Sequence, residues 1–575
     1  MVERVPGSCW LSVGLLILSP VLDARYRPCA DCLSRRMLSN DDLLAGLVRS
    51  GFRQRCRDAW CPPGLAGALS RLVRGIEDGG DRFRRAVLSA HAVTMSLASS
   101  SLSVHRVVPY PSCVRCAGER EWATPGGTLP DDVPAIAATP PKGPAEGLWP
   151  RVLRTVGDVV DGVTGIIQRP VVVERASAGG VYVAMTRHAD PSPPRFGSLR
   201  VDGGSGAVTA RTGFSRQAFG SGWSEGDARA RACMEALERY SCTLDDREVC
   251  LRARSDDLAE RHLAPNDLMR YADDQLRHGS TGVSGDPRDP STAPSPYDAT
   301  ATLDWCRAVS ITGEPFLLPA GCCLRLPPGH PDHRYCMHDN NGCAAALTPQ
   351  DAVVAGFLEV VERDAAAVWW YNRIPRPLVD LASFEVAEVD QMVGRQRVNG
   401  RELVVFDITA DVPVSVFAAM AHRVGQPFPL LGFGAHFDPR RALEAAVLEL
   451  GQAIAFEPEE ASKWQGFDWR GQDHLDIGRA HDLRTRDSSR REYRPEDSAD
   501  VEACAHAAAV AGLDVLVVDR SRADAAIACV KAVVPGCRGF GPRFGSGRLF
   551  EVPVSLGWVP RPRRPEELNE QSLRS

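Results

Sequence analysis

Three short runs in this chain carry residue types and spacings suited to chemistry. Glu235, Glu238 and Arg239 form one ExxER sequence, Glu359, Glu362 and Arg363 form a second, and Glu449 with Gln452 forms a third, related pair. Residues at i and i+3 share a helix face, so each run presents two oxygen-bearing side chains together. Four ExxER carboxylates converging with Glu449 and Gln452 need compensation, because a buried, unpaired carboxylate is expensive. Divalent cations supply it: Mg2+ takes hard oxygen ligands, commonly one or two carboxylates plus phosphate, while Arg239 and Arg363 could fork onto phosphate oxygens. The chemistry is that of a Mg2+-nucleotide site. A single ExxER run reads better as an exposed helix face with internal ion pairs; three repeats argue against that. No GxxxxGKS or GxxxxGKT loop and no kinase signature is present, so a nucleotide would be held in another way.

The elements that must position these residues are three capped helices. Ser224 with Asp227, Thr348 with Pro349 and Asp351, and Asp438 with Pro439 are helix starts, through N-cap side chains, proline at N1 and an early acidic residue. Glu235, Glu359 and Glu449 each lie eleven residues beyond their cap. Strand-like runs are Val171 to Val173, Val181 to Met185, Leu403 to Ile408, Val412 to Phe417, Val515 to Val518 and Leu549 to Val554. The class expected is α+β, with helices contributing the site to mixed sheets.

At 575 residues more than one domain is expected. The Pro/Gly/Ala-rich stretch 123–150 divides an N-terminal piece, 1–122, from a long piece, 151–575. Residues 279–300 read as a surface loop insertion and 484–500 as a charged loop. A net charge of −6 and a pI near 6.2 carry no nucleic-acid footprint. Eighteen cysteines are too few for a disulfide scaffold of this length and suit a reducing compartment, so the cytoplasm is expected. Residues 10–22 are apolar but shorter than the roughly 18 to 20 residues a spanning helix needs, and read as a buried strand rather than a signal peptide or a membrane anchor.

In the N-terminal piece, Cys29, Cys32, Cys113 and Cys116 form a CxxC…CxxC tetrad. Four thiolates at this spacing suit a closed, tetrahedral structural Zn2+ clamping a small helical domain better than two unrelated thiol pairs. His330, His333, Cys336 and His338, with Gly329, could be a second metal site but lack helical spacing and read as a solvated loop.

Several stretches resemble the YcaO family, and within it the azoline-forming cyclodehydratases of thiazole/oxazole-modified peptide biosynthesis. They are VTGII at Val163, MEALERYS at Met234, NGCAAALTPQDAVVAGFLEVVERDAAAVWWYNRIPRP at Asn341, GAHFDP at Gly434, LELGQ at Leu448 and VVPGCRGFGPRFGSGRLFEVPVSLGW at Val533. The resemblance implies ATP and Mg2+ held by Glu235, Glu238, Glu359 and Glu362. Ser224, Arg239, Asn341, Arg363, Glu449 and Gln452 are then nucleotide-side residues. It implies cyclodehydration of Cys, Ser or Thr in a ribosomal precursor peptide, through phosphorylation of the backbone amide oxygen. Within the same family a thioamide- or amidine-forming enzyme is an alternative, and a degenerate docking scaffold is another. Three departures stand out: Ser221 where the family often has Lys, Arg231 where Ser is usual, and a tail VPRPRRPEELN ending in NEQSLRS instead of PxPxP.

The segments RPCADCLSRR and HRVVPYPSCVRCAG also resemble the end of the ThiF/E1-like partner often fused to these enzymes. With no room for the winged-helix leader-binding element, a separate leader-peptide-binding E1-like protein is an expected partner. A flavin dehydrogenase and a second copy of the chain are further candidates.

Overall fold

The computed structural model describes residues 9–12, 15–18, 30–40, 91–96, 102–107, 147–173, 180–189, 216–244, 250–277, 293–327, 329–423, 425, 428–457, 471–486, 499–522, 524–569 and 571–573. Strands β1 (Cys9–Ser12) and β2 (Leu15–Leu18), helix α1 (Ala30–Asn40), and strands β3 (His91–Ser96) and β4 (Leu102–Arg106) open the chain. The four strands form an antiparallel sheet in sequence order, Trp10 opposite Ile17. Two expectations are corrected here. The apolar run 10–22 contains two paired strands instead of one, punctuated in sequence by Gly14. Among its described residues the N-terminal piece, expected as a small helical domain, carries a four-stranded sheet beside helix α1. The stretch 123–146 lies outside the described residues, as do 278–292 and 487–498 of the two expected loops.

Helix α2 (Leu148–Val156) precedes the antiparallel sheet β5 (Val171–Val173), β6 (Tyr182–Arg187), β7 (Gln217–Gly222), which runs directly into α3 (Glu225–Ser241). Next come β8 (Leu251–Arg254), β9 (Thr302–Ser310), β10 (Pro315–Pro319) and β11 (Cys343–Ala346), the last leading into α4 (Pro349–Tyr371). After α5 (Ala387–Val398), a third antiparallel sheet of β12 (Glu402–Asp407), β13 (Ser415–His422) and β14 (Leu430–His436) leads into α6 (Pro439–Ala455). Helix α7 (Val501–Val510), β15 (Leu516–Asp519) and β16 (Ala528–Val533) then complete a six-stranded sheet, β10-β9-β15-β16-β11 with β8 also on β9, and α8 (Arg548–Ser555) follows.

One supersecondary unit therefore occurs three times. β7, β11 and β14 end at Gly222, Ala346 and His436, and the caps Ser224, Thr348 and Asp438 each follow two residues later. The capping bonds are those expected from sequence: the three side chains accept from the backbone N–H of Asp227, Asp351 and Arg440. Glycines let strand and helix approach. A Cβ on Gly220 would lie 2.2 Å from the nitrogen of Ala232, and one on Gly432 2.2 Å from that of Leu450. Helix α4 is apolar nearly all round and is the centre of the main core, with Phe357, Trp369 and Trp370 fully buried.

Two strand expectations change. Val412 to Phe417 begins as a strand only at Ser415, because Pro413 has no N–H for a ladder. Leu549 to Val554 is helical, within α8. Leu549, Val552 and Pro553 turn inward at helical spacing, and Arg548 at the helix start bridges Asp364, at 2.6 and 2.9 Å, and Asp411, at 2.7 and 2.8 Å. That buried ion cluster outweighs the local β preference of the sequence LFEVPV.

Candidate nucleotide and metal site

The three repeated units aim their glutamates at one place. On α3, Glu235 accepts the backbone N–H of Phe219, at 2.8 Å, from the strand sixteen residues upstream. On α6, Glu449 accepts the N–H of Phe433 from β14 across the same separation. On α4, Glu359 accepts the N–H of Gly342 just before β11, and Glu362 that of Ala435 on β14. β7 and β14 thus each orient a glutamate of the helix they feed, β14 also reaches across to α4, and the residue before β11 orients Glu359.

The carboxylates form a closed circuit of mutual repulsion. Burial pushes Glu235 up, with Glu449 adding to the effect. Burial also pushes Glu238 well up, helped by the Cys343 thiol, Glu359 and Glu235. Glu362 is pushed up to about 8, first by burial and then by Glu449 and Glu359. The sequence Glu235–Glu449–Glu362–Glu359–Glu238 and back to Glu235 is therefore a ring of five carboxylates. Compensation comes from Arg239, ion-paired to Glu235, from Arg363, 3.4 Å from Glu359 and 3.7 Å from Glu362, and from the Lys531 charge acting on Glu359. The Arg363 guanidinium lies 4.0 Å from the centre of the Phe540 ring, which holds it on that side of the site. Side-chain exposures of 27% for Glu235 and Glu359 and 14% for Glu362 make the ring the wall of an open recess and not a sealed core.

These residues fit a Mg2+-nucleotide. Their donors are hard oxygens under electrostatic strain that cations relieve. Among the described residues no three of these carboxylates bring oxygens within 4.8 Å of one another, which suits a cation taking one or two carboxylates and completing its shell with phosphate and water. At the edge of the ring, the buried amide oxygen of Asn341 has no hydrogen-bond partner among the described residues.

Of the other sequence-derived residues, Gln452 stands one turn beyond Glu449 and is half-buried. Ser224 is exposed and its hydroxyl serves the cap, bonded to Asp227. Ser221 is buried on β7 opposite Val183. Cys32 is buried on α1; Cys29, Cys113 and Cys116 lie outside the described residues. In the histidine cluster, His330 pairs with Asp304 at 3.1 Å, and Asp332 comes close enough for the three to offer ligand atoms within 4.8 Å. Arg252 neutralises the two carboxylates at 2.8 and 3.5 Å, so the segment is a salt-bridged knot on a short 3-10 turn.

Sequence reasoning missed Asp339, Lys531, Arg543 and Phe540. Burial opposes a charge on Asp339, but Arg543, at 2.8 Å, and Lys531 hold it ionised. A signal existed: Lys531 is a lone cation inside the apolar strand ACVKAV, where lysine is rare unless partnered.

A mixed α/β fold that converges paired glutamates and arginines from three repeated strand–helix units defines a class of nucleotide-dependent protein. The family of YcaO cyclodehydratases, described as ATP- and Mg2+-binding, matches residues 219–538, and this chain belongs to it. A heterocyclase solved in complex with substrate and cofactor is similar to the chain at a TM-score of 0.80 and 26% identity, covering 97% of this chain and 75% of that one. The heterocyclase TruD is similar at a TM-score of 0.72 and 26% identity, covering 98% and 74%. An uncharacterised protein of Methanothermobacter thermautotrophicus is 28% identical over 270 residues, 46% of this chain and 61% of the relative. A second, from the tfuA 3' region of Rhizobium leguminosarum bv. trifolii, is 31% identical over 168 residues, 26% and 39%. The chain thus spans 61% and 39% of the lengths of these two relatives.

Proposed function

We propose that this chain is an ATP- and Mg2+-dependent peptide cyclodehydratase, converting Cys, Ser or Thr of a ribosomal precursor peptide into thiazoline or oxazoline. The ring of five carboxylates flanked by Arg239 and Arg363 carries the reading, in a chain of the YcaO family. Glu235, Glu238, Glu359 and Glu362 would hold the cations, with Glu449 beside them; Ser224, Arg239, Asn341, Arg363 and Gln452 stand on the nucleotide side. When bound, ATP supplies a phosphoryl group that turns the backbone amide oxygen into a leaving group after the side-chain thiol or hydroxyl has added to the carbonyl. The chain's own part is orientation: strand N–H groups fix three of the glutamates, and Phe540 fixes Arg363, before any ligand arrives.

A separate leader-peptide-binding E1-like protein, a flavin dehydrogenase and a second copy of the chain are the partners this reading proposes, and a Zn2+ on Cys29, Cys32, Cys113 and Cys116 its structural metal. Among the described residues no helix is long and apolar enough to cross a membrane; a cytoplasmic location is part of the proposal, in keeping with a thiol-rich chain. Mass spectrometry of a precursor peptide incubated with the protein, the leader-binding partner, ATP and Mg2+ tests it. Loss of one water mass per ring, dependent on ATP and absent in a Glu235→Ala, Glu359→Ala double variant, is the expected result. An unchanged peptide with no phosphate release would overturn it.

A further inference from the structure

Lys531 is a buried cation outside the ring, whose charge helps to offset that of Glu359. Strand β16 sets it opposite Cys343 of β11, with only 4% of its surface exposed. Its Nζ donates to the carbonyl oxygen of Asp339 at 2.9 Å, to the carboxylate of the same residue at 3.4 Å, and to the carbonyl oxygen of Asn341. Arg543 holds the other carboxylate oxygen of Asp339 at 2.8 Å. The next residue on the strand, Ala532, donates its N–H to the carbonyl oxygen of Gly342 at 2.7 Å. Residues 339–342 are thus clamped along their length by two consecutive residues of β16. The same four residues supply the N–H that orients Glu359 and the Asn341 amide, whose oxygen has no partner among the described residues. The space beside the clamp is a cavity of about 50 Å3 whose polar wall is Asp339, Asn341, Lys531 and Arg543.

Gly342 makes the clamp necessary. Its φ of +81° is a conformation side chains rarely adopt, and a Cβ there would sit 2.2 Å from the oxygen of Ala532. A glycine in that state has no preference of its own for the orientation that aims its N–H at Glu359, so neighbouring contacts must select it. A neutral side chain at 531 could fill the volume but could not satisfy two carbonyl oxygens and a carboxylate.

We propose that Lys531 is a positioning residue for the site: by pinning residues 339–342 it sets the direction of Glu359 and Asn341, and through them the affinity for Mg2+-nucleotide. This deepens the reading of the carboxylate ring as an ATP site and rests on it. The test is calorimetric binding of a non-hydrolysable ATP analogue, at fixed excess Mg2+, to the full chain and to Lys531→Met, Lys531→Arg and Asp339→Asn, with a melting curve for each. Groups that orient metal ligands without touching the metal typically matter by about 10- to 100-fold, and that loss of affinity is expected for Lys531→Met. Lys531→Arg, which keeps the charge, should stay nearer the wild type. A folded Lys531→Met that binds the analogue within twofold of wild type overturns the proposal. Should that variant fail to fold, Asp339→Asn decides, since it weakens one anchor and keeps the buried lysine: weaker binding supports the clamp and unchanged binding overturns it. A wild-type chain that binds no analogue at all would overturn both this inference and the ATP site beneath it.

Discussion

At the scale of residues, the site is held in a state that costs stability. Five carboxylates repel one another around a recess, and Arg239, Arg363 and Lys531 offset only part of that. Replacing one of them by its neutral isostere should therefore stabilise the ligand-free protein while damaging the site. For Glu362→Gln we expect a gain of about 1 kcal/mol in urea unfolding together with loss of the stabilisation that Mg2+-nucleotide gives the wild type. An unchanged nucleotide response would show that Glu362 is outside the site. The pH dependence has a definite sign. Glu362 is raised from its usual 4.5 to about 8 in the fold, so its neutral form is the one folding favours. Its contribution to stability is present below about pH 4.5 and is lost as pH rises through about 8. The metal-free protein should melt at lower temperature at about pH 8.5 than at about pH 6.5, and saturating Mg2+-nucleotide should flatten that slope, because cations take the place of protons. Melting curves at matched ionic strength check both limbs.

At the scale of elements, the glutamates depend on close strand–helix contact. β7 and β14 each hand an N–H to the helix they feed, and glycine at the interface allows the approach. A methyl group on Gly220 or Gly432 would strike helix backbone, so Gly220→Ala and Gly432→Ala should each lose about 1–3 kcal/mol and weaken nucleotide binding as well. Gly394, with open space around its Cβ position and an ordinary φ, is the control expected to leave nucleotide binding unchanged. Elements also show where local reading stops. The three N-caps were legible because capping is decided by the few residues around the cap. Strands β7, β11 and β14 went unread because the glycine and alanine that let helices pack on them erase the β-branched signal of a strand. Helix α8 was misread for the opposite reason: its residues look like a strand, and the buried Arg548 cluster with Asp364 and Asp411 decides otherwise.

At the scale of the whole molecule, the N-terminal piece is docked on the unit that carries the site. Arg36 of α1 is fully buried and bonds the hydroxyl of Tyr240, at 3.1 Å, and the carboxylate of Asp524, at 2.7 Å. Tyr240 closes the triangle on Asp524 at 2.7 Å, and it follows Arg239 directly on α3. Asn40 and Arg216 add bonds across the same junction. Without Arg36, Asp524 keeps Arg522 at 3.3 Å and the Tyr240 hydroxyl, so Arg36→Met should destabilise the chain by about 1–3 kcal/mol in urea unfolding. A loss much smaller than that would mean that the N-terminal helix contributes little to the stability of the folded chain. Nothing in the sequence near Arg36 announces this contact, since its partners lie 204 and 488 residues away.

The division between what the sequence determined and what the fold decided follows the range of the forces involved. The capped helices, the eleven-residue spacing from cap to glutamate and the i, i+3 pairing of side chains follow from helix geometry and local hydrogen bonding, so they stand in the sequence alone. That the five carboxylates close into one ring, that Lys531 and Arg543 grip Asp339, and that residues 548–555 wind into a helix depend on groups brought together from distant parts of the chain. Burial is what gives those contacts their strength, and only tertiary packing decides which groups are buried together.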